Sequence, residues 1–291
     1  MARTVNQKED GIAVRMEQIS KSFGTVKAND NISFEVQQGE IHALLGENGA
    51  GKSTLMNMLS GIYKPDGGSI FVHGEKVVFD APKDSIEKGI GMIHQHYKLV
   101  EVQTALENIM MGRKGSFFVN RNKIAKELTE ISEKYGMYVD PNKKVYDMSI
   151  GEKQTVEILK VLHRGADILI MDEPTAVLTP QETQKLFQII KNMAKKGCAV
   201  IIITHKMNEV MEISDRVSVL RKGSTVGTFA TKETTAKELT DCMVGKAVDL
   251  SIDRPVVGRG KALLQVKNLT AVDMDQVQVL KKLSFDLHAG E

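Results

Sequence analysis

The sequence predicts an α/β fold: a parallel-sheet core covered by helices, with an antiparallel β subdomain at its start and an inserted helical subdomain. Three observations carry this. The runs Ile168-Leu-Ile-Met171 and Ala199-Val-Ile-Ile-Ile203 are continuously apolar, as expected of strands buried on both faces. A helical stretch, Pro180 to Lys196, separates them, which is the usual way to join parallel strands. A third apolar run, Ile41-His-Ala-Leu-Leu45, leads directly into the glycine-rich segment GENGAGKST at 46–54.

The elements follow in order from apolar periodicity. Val14 to Phe23 and Asn31 to Gln37 read as antiparallel strands, and Glu40 to Leu45 as the strand entering the glycine-rich loop. Lys52 to Ser60 reads as a helix. Ser69 to His73 and Lys76 to Phe79 read as a hairpin around Gly74-Glu75, and Ile90 to His94 as a strand. Residues from about 96 to 162 are mostly helical, with helices over Thr104 to Met111, Asn120 to Tyr135 and Gly151 to His163. After the two apolar strands, Arg216 to Arg221 and Thr225 to Phe229 read as strands and Thr235 to Met243 as a helix. These elements form one domain over 11–245.

Residues 246–260 are polar and unpatterned, with Pro255, Gly258 and Gly260, and read as a linker. The segment 261–291 repeats the start of the chain. Leu283-SFDLHAGE-291 shares four identities in nine positions with Ile32-SFEVQQGE-40, and Leu264 to Thr270 matches the apolar pattern of Val14 to Ser20. This is an internal repeat, set against the alternative of two merely similar hairpins. The second copy ends before the equivalent of the glycine-rich loop, so the expectation is a chain cut from a longer tandem protein.

Composition is ordinary for a globular protein, at 42% hydrophobic and 26% charged residues. A net charge of +2 gives no general electrostatic case for nucleic acid or an anionic membrane surface. Cys198 and Cys242 suggest no disulfide framework and fit a reducing compartment. The start, MARTVNQKED, lacks the apolar core of a signal peptide. No apolar run approaches the ~20 residues that span a bilayer.

The glycine-rich segment fits G-x-x-x-x-G-K-[ST], with Gly46, Gly51, Lys52 and Ser53 in the fixed slots. Such a loop, through Gly46, Asn48, Gly49 and Gly51, can turn its N–H groups inward as an anion cradle. The helix N-terminus behind it, carrying Ser53 and Thr54, adds partial positive charge. Lys52 can reach the β- and γ-phosphates of a nucleotide, and the Ser53 hydroxyl can bind Mg²⁺. The plain alternative is a glycine-rich turn between a strand and a helix.

Other residues fit around this loop. The strand from Ile168 ends in Asp172 and Glu173. There Asp172 can hold hydrated Mg²⁺, and Glu173 can orient or deprotonate an attacking water; an acidic strand cap is the alternative. Gln95 follows the strand from Ile90 and can touch Mg²⁺ and the water; His205 follows the strand from Ala199 and can contact the γ-phosphate. Each also fits a satisfied polar residue at a strand end. His94 and His96 flank Gln95, a weak signal for a metal pair. Ser149, Gly151 and Glu152 open the helix near 151. They fit a second anion site or a simple capping box, Ser149 with Glu152.

At these residues the sequence resembles the ATP-binding subunits of ABC transporters, over residues 12 to about 245. GENGAGKST matches Walker A and ILIMDE, ending at Glu173, matches Walker B. Gln95 matches the Q-loop, His205 the switch histidine, and MSIGE at 148–152 the signature, usually LSGGQ. The resemblance implies a P-loop NTPase fold of the ABC type, with ATP and Mg²⁺ as ligands. It implies Phe23 as the aromatic stacked on adenine, where an ordinary apolar strand residue is the alternative. It gives Mg²⁺ to Ser53, Gln95 and Asp172, and catalysis to Glu173, His205 and Gln95. Ser149, Gly151 and Glu152 would contact the nucleotide held by an opposing domain.

The departures are informative. Ile150, Glu152 and Thr155 replace the usual glycine, glutamine and arginine, and Thr179 replaces a common aspartate. S-x-G-E and TAVLTPQE resemble the tandem subfamily that powers import of monosaccharides and nucleosides. IHQHYKLV at 93–100 resembles its nucleoside and simple-sugar branch. The implied partners are a second nucleotide-binding domain, in the same full-length chain or a second copy, and transmembrane permease subunits contacted through 96–162. An extracytoplasmic substrate-binding protein would act indirectly. The implied place is the cytoplasmic face of the cell membrane, peripherally, and the fragment alone is expected to be weakly active. Two alternatives remain: a soluble ABC ATPase acting on ribosomes or DNA, whose usual long basic linker or coiled coil is missing here, and a truncated product without a transport role.

Overall fold

β1 (Ile12–Phe23) and β2 (Val26–Gln37) form a long antiparallel hairpin in a computed structural model that describes residues 11–95, 97–111, 121–245, 260–272 and 278–290. The hairpin's inward side chains, Val14, Met16, Ile19, Ile32, Phe34 and Val36, are buried. β3 (Ile41–Leu45) leads through the glycine-rich loop to α1 (Lys52–Leu59). β4 (Gly67–Val72) pairs with β1 and β5 (Glu75–Val77) with β4, giving an antiparallel sheet of order β2-β1-β4-β5. α2 (Pro82–Glu87) and β6 (Ile90–Ile93) follow. The helical segment holds α3 (Ala105–Met110), α4 (Arg121–Tyr135) and α5 (Ile150–His163). Then come β7 (Ile168–Asp172), α6 (Pro180–Lys195), β8 (Ala199–Thr204), α7 (Met207–Ile213), β9 (Arg216–Arg221), β10 (Ser224–Ala230) and α8 (Ala236–Val244).

The second sheet has the order β10-β9-β3-β8-β7-β6. Its pairs from β9 to β6 are parallel, and β10 adds an antiparallel edge. The continuous apolar runs now have their reason. In β8, Ile201 and Ile203 face a core shared with Met16, Phe34, Leu55 and Met56. Val200 and Ile202 face the other way, into a core with Ile109, Leu159, Phe187 and Ile190 from the helices. Both faces are covered, so neither can be polar. Burying one such side chain contributes about 1.5–3 kcal/mol.

Two short helices were not expected. α2 starts with Pro82 at its first turn, and the Asp84 carboxylate accepts the N–H of Ala81 at 2.9 Å. α7 is anchored by buried Val210 against Leu45, Val217 and Leu239. Each is too short to show a helical period. The expected linker at 246–260 lies outside the described residues except for Gly260, as does His96.

The chain divides into two compact units, within 1–248 and 249–291, each described by itself. The second holds β11 (Ala262–Val272) and β12 (Gln278–His288), paired antiparallel. The repeat extends to backbone detail. Val266 pairs with Phe285 and Leu269 with Leu283, as Met16 pairs with Phe34 and Ile19 with Ile32. Asn268 and Lys282 have φ of 52° and 50°, as Gln18 and Asn31 both have 52°. The Asn268 N–H donates to Ser284 Oγ at 2.9 Å, as the Gln18 N–H donates to Ser33 Oγ at 3.3 Å. The burial differs: Leu264, Leu269, Leu283, Phe285 and Leu287 are 42–47% exposed, whereas their counterparts in β1 and β2 are buried.

Candidate functional site

The parallel register puts three strand ends side by side. Leu45 of β3 lies beside Thr204 of β8, and Asp172 of β7 beside Ile203. The glycine-rich loop, Glu173 and His205 therefore leave the sheet at one edge, where open α/β sheets bind ligands. Gln95 leaves β6 at the same edge. Asn48, Gly49, Gly51, Lys52, Ser53 and Thr54 line one cleft of about 480 Å³ together with Gln95, Asp172 and Glu173. Gly51 has φ of 99°, and a Cβ there would collide with the Ala28 carbonyl, so the loop tolerates only glycine at this point.

Lys52 is buried, and its ammonium donates to the carbonyls of Gly46 at 2.7 Å and Glu47 at 3.0 Å. Burial pulls its pKa below the ordinary lysine value, and the nearby Glu173 and Asp172 charges work against that shift. Asp172 is displaced the other way. Burial and then the Glu173 charge push its carboxyl above the usual range, with Lys52 opposing. The folded state thus holds the Asp172 proton more tightly than the unfolded chain does. Ionising the group costs stability as pH rises through the unfolded value toward the folded one. Asp172→Asn is accordingly expected to raise the thermal midpoint of the nucleotide-free protein at neutral pH. Each kcal/mol relieved would correspond to roughly 2–4 °C in a domain of this size. A midpoint equal or lower in thermal unfolding would show the charge to be compensated already.

Glu173 takes a left-handed backbone, φ 46°, rare for a residue with a Cβ and typical of functional turns. Its N–H donates to the Ile203 carbonyl at 2.9 Å, which locks the turn to β8. Its carboxylate meets His205 Nδ1 at 2.6 Å. His205 itself is half exposed.

The donors beside Asp172 are oxygens: its carboxylate, the Ser53 hydroxyl and the Gln95 amide. Both Ser53 and Gln95 are exposed to the cleft. One carboxylate with neutral oxygens suits Mg²⁺ that also binds phosphate and water. The partly uncompensated Asp172 charge fits the same role. Among the described residues no group of three or more His, Cys, Asp and Glu side chains could hold a metal by itself. His94 has a lowered pKa through burial and then the Lys98 charge.

Ser149, Gly151 and Glu152 do not share this cleft. They line a separate hollow of about 480 Å³ between α5 and α6. The capping box expected there is present: Ser149 Oγ accepts the Glu152 N–H at 3.2 Å, and the Glu152 carboxylate accepts the Ser149 N–H at 2.8 Å. Glu152 also holds Lys143 at 2.8 and 2.9 Å, and the Gly151 N–H donates to Glu182 at 3.2 Å. Phe23, at the end of β1, is 44% exposed and meets Tyr63 edge-on, with ring centroids 5.2 Å apart; Val26, across the hairpin, lines the cleft instead.

Sequence reasoning missed the far wall, formed by Lys27, Ala28, Lys222 and Gly223. The Gly223 N–H donates to the Ala50 carbonyl at 3.1 Å and its carbonyl accepts the Asp30 N–H at 2.7 Å, so the β9–β10 turn braces the loop. No motif marks these residues: Lys27 and Ala28 come from β2, and Lys222 and Gly223 arrive through the pairing of β9 beside β3.

The strand order, the loop-to-helix turn and the lysine within the cleft define an α/β P-loop NTPase. More narrowly, residues 29–176 match the ABC transporter family, and the chain belongs to that family. It is 44% identical over 280 residues to the nucleoside import ATP-binding protein NupA of Lactococcus lactis, and 46% identical over 280 residues to the guanosine import ATP-binding protein NupO of Bacillus subtilis. Each alignment covers 96% of this chain and 55% of the relative, so the chain spans about half the length of the curated relatives it matches. Among solved structures, CbiO1 of Clostridium perfringens, part of the ABC transporter complex CbiONQ, superposes with a TM-score of 0.70 at 26% identity. That match covers 79% of this chain and 93% of CbiO1.

Proposed function

We propose that this chain is the ATP-binding and ATP-hydrolysing part of an importer, energising entry of a nucleoside or simple sugar through a membrane permease. The convergence of Lys52, Ser53, Gln95, Asp172 and Glu173 on one cleft carries the reading. In it, Lys52 exchanges its two carbonyl partners for β- and γ-phosphate oxygens, and the N–H groups at the start of α1 complete the cradle. Ser53, Gln95 and Asp172 hold Mg²⁺, which supplies the positive charge that phosphoryl transfer needs. Glu173 accepts the proton of the attacking water on a carboxylate oxygen, while His205 orients that carboxylate. Phe23, exposed beside Tyr63, offers its ring to adenine.

Ser149 and Gly151 sit in a separate hollow, which suits a role toward nucleotide held by an opposing domain. We assign that domain to a second copy or to the rest of a tandem chain. Support for the tandem reading comes from the repeated hairpin at β11–β12, its exposed apolar side chains and the greater length of the relatives. The domain limits proposed are 11–245, a linker over 246–260 and the start of a second domain over 261–291. Permease subunits would bind through 96–162, with an extracytoplasmic substrate-binding protein acting indirectly and nucleic acid not among the partners. Among the described residues no helix is long and apolar enough to cross a membrane, which fits a peripheral place on the cytoplasmic face. The names of NupA and NupO favour nucleosides as the imported class.

Titration with ATP tests the reading. Binding is expected to raise the thermal midpoint, and hydrolysis is expected to stop when Mg²⁺ is chelated and return when it is restored. A protein that ATP does not stabilise, or that hydrolyses it equally well in a chelator, would contradict the assignment.

A further inference from the structure

Behind the Glu173–His205 contact lies a polar cluster made of Thr175, which opens the TAVLTPQE stretch, and of Lys206 and Glu209, which no quoted motif contains. Thr175 is buried, at 3% exposure. Its hydroxyl donates to Glu209 Oε1 at 2.5 Å. The Lys206 ammonium donates to that same hydroxyl oxygen at 3.0 Å and to the Thr175 carbonyl at 3.1 Å. Lys206 and Glu209 close the ring as an ion pair at 3.1 Å. The hydroxyl proton thus has one acceptor, and the hydroxyl oxygen has one donor.

The ring joins two loops. Thr175 lies two residues beyond Glu173, Lys206 is next to His205, and Glu209 stands in the first turn of α7. The turns after β7 and β8 are therefore tied at the tip by Glu173 and His205, and at the base by the ring. None of the three residues lines the phosphate cleft. The second Glu209 oxygen, Oε2, is buried without a partner. A carboxylate with one buried oxygen unsatisfied is a poor stabilising device, since an unmade hydrogen bond costs the desolvation of that atom. His205, half exposed and held by Glu173, has little else to fix its ring.

We propose that Thr175, Lys206 and Glu209 are positioning residues, which keep His205 in register with Glu173 without touching the nucleotide. The proposal rests on the hydrolytic reading of the cleft. Misplacing a catalytic group by a fraction of an ångström to one ångström slows turnover roughly ten- to hundredfold. Thr175→Val, which keeps the shape and removes the hydroxyl, is expected to lower kcat by that factor with the KM for ATP unchanged. Thr175→Ser is expected to restore the rate. Because the ring acts through His205, Thr175→Val should add nothing in a His205→Ala background. A multiplicative loss in the double variant, or native turnover in Thr175→Val, would overturn the proposal. A wild-type chain without any hydrolysis even at concentrations where copies pair would sink the hydrolytic reading instead. The ring is then tested by the NMR signals of the His205 imidazole, which are expected to shift in Thr175→Val and in Lys206→Met. Signals unchanged in both variants would overturn it.

Discussion

Glu173→Gln is expected to bind Mg·ATP as the wild type does and to hydrolyse it roughly 10²–10⁴-fold more slowly, the usual effect of losing one general base. The substitution is nearly isosteric. It keeps the left-handed turn, the N–H bond to Ile203 and a side-chain oxygen for His205. What it removes is the negative charge and the proton acceptor. Asp172 remains, and losing the Glu173 charge relieves one of the two causes that raise its pKa. Binding therefore has no reason to weaken. Single-turnover rates with ATP titrations in parallel would check both halves. Native turnover in Glu173→Gln beside an inert Asp172→Asn would reverse the roles given to the two carboxylates.

Lys52→Ala is expected to weaken ATP binding by roughly a hundredfold or more. Hydrogen bonds to charged groups contribute about 1.5–3 kcal/mol each, and two of them to phosphate oxygens correspond to at least two decades in affinity. Lys27 and Lys222 also line the cleft, but they stand on its far wall, and Lys27 is already paired with Asp30 at 2.6 Å. Their removal is expected to cost far less than removal of Lys52. Unchanged affinity in Lys52→Ala, by nucleotide titration, would exclude the glycine-rich loop as the phosphate site.

Legibility in the sequence followed the distance over which each feature is determined. The strand–loop–helix turn is local: strand, glycines, lysine and helix are adjacent, so GENGAGKST marked where it falls. Asp172, Glu173, Gln95 and His205 were legible because each follows an apolar strand, and parallel strands end together. The repeat at 261–291 was legible as shared identities and a shared apolar pattern, while the matching bulges and left-handed positions show only in the backbone. The rest depends on tertiary pairing. Lys222 and Gly223 reach the cleft only because β9 pairs with β3. Thr175 and Glu209 are 34 positions apart and meet through the β7–β8 register. α2 and α7, at six and seven residues, are short: the first is set by a proline start, and the second by Val210 and Ile213 buried on the core, with Met207 and Met211 packed beside them. Ser149 and Glu152 stayed ambiguous for another reason. A capping box and an anion site use the same N–H groups, and in this chain the box is formed while Glu182 already accepts the Gly151 N–H.

That last arrangement sharpens the central claim, which is that the cleft hydrolyses ATP only when an opposing domain offers its own Ser149 and Gly151. ATPase activity measured across a wide range of protein concentration tests it most directly. The expected result is slow hydrolysis at low concentration and a specific activity that climbs as copies pair. A specific activity that is high and independent of concentration would mean that one chain suffices, and would contradict the head-to-tail account.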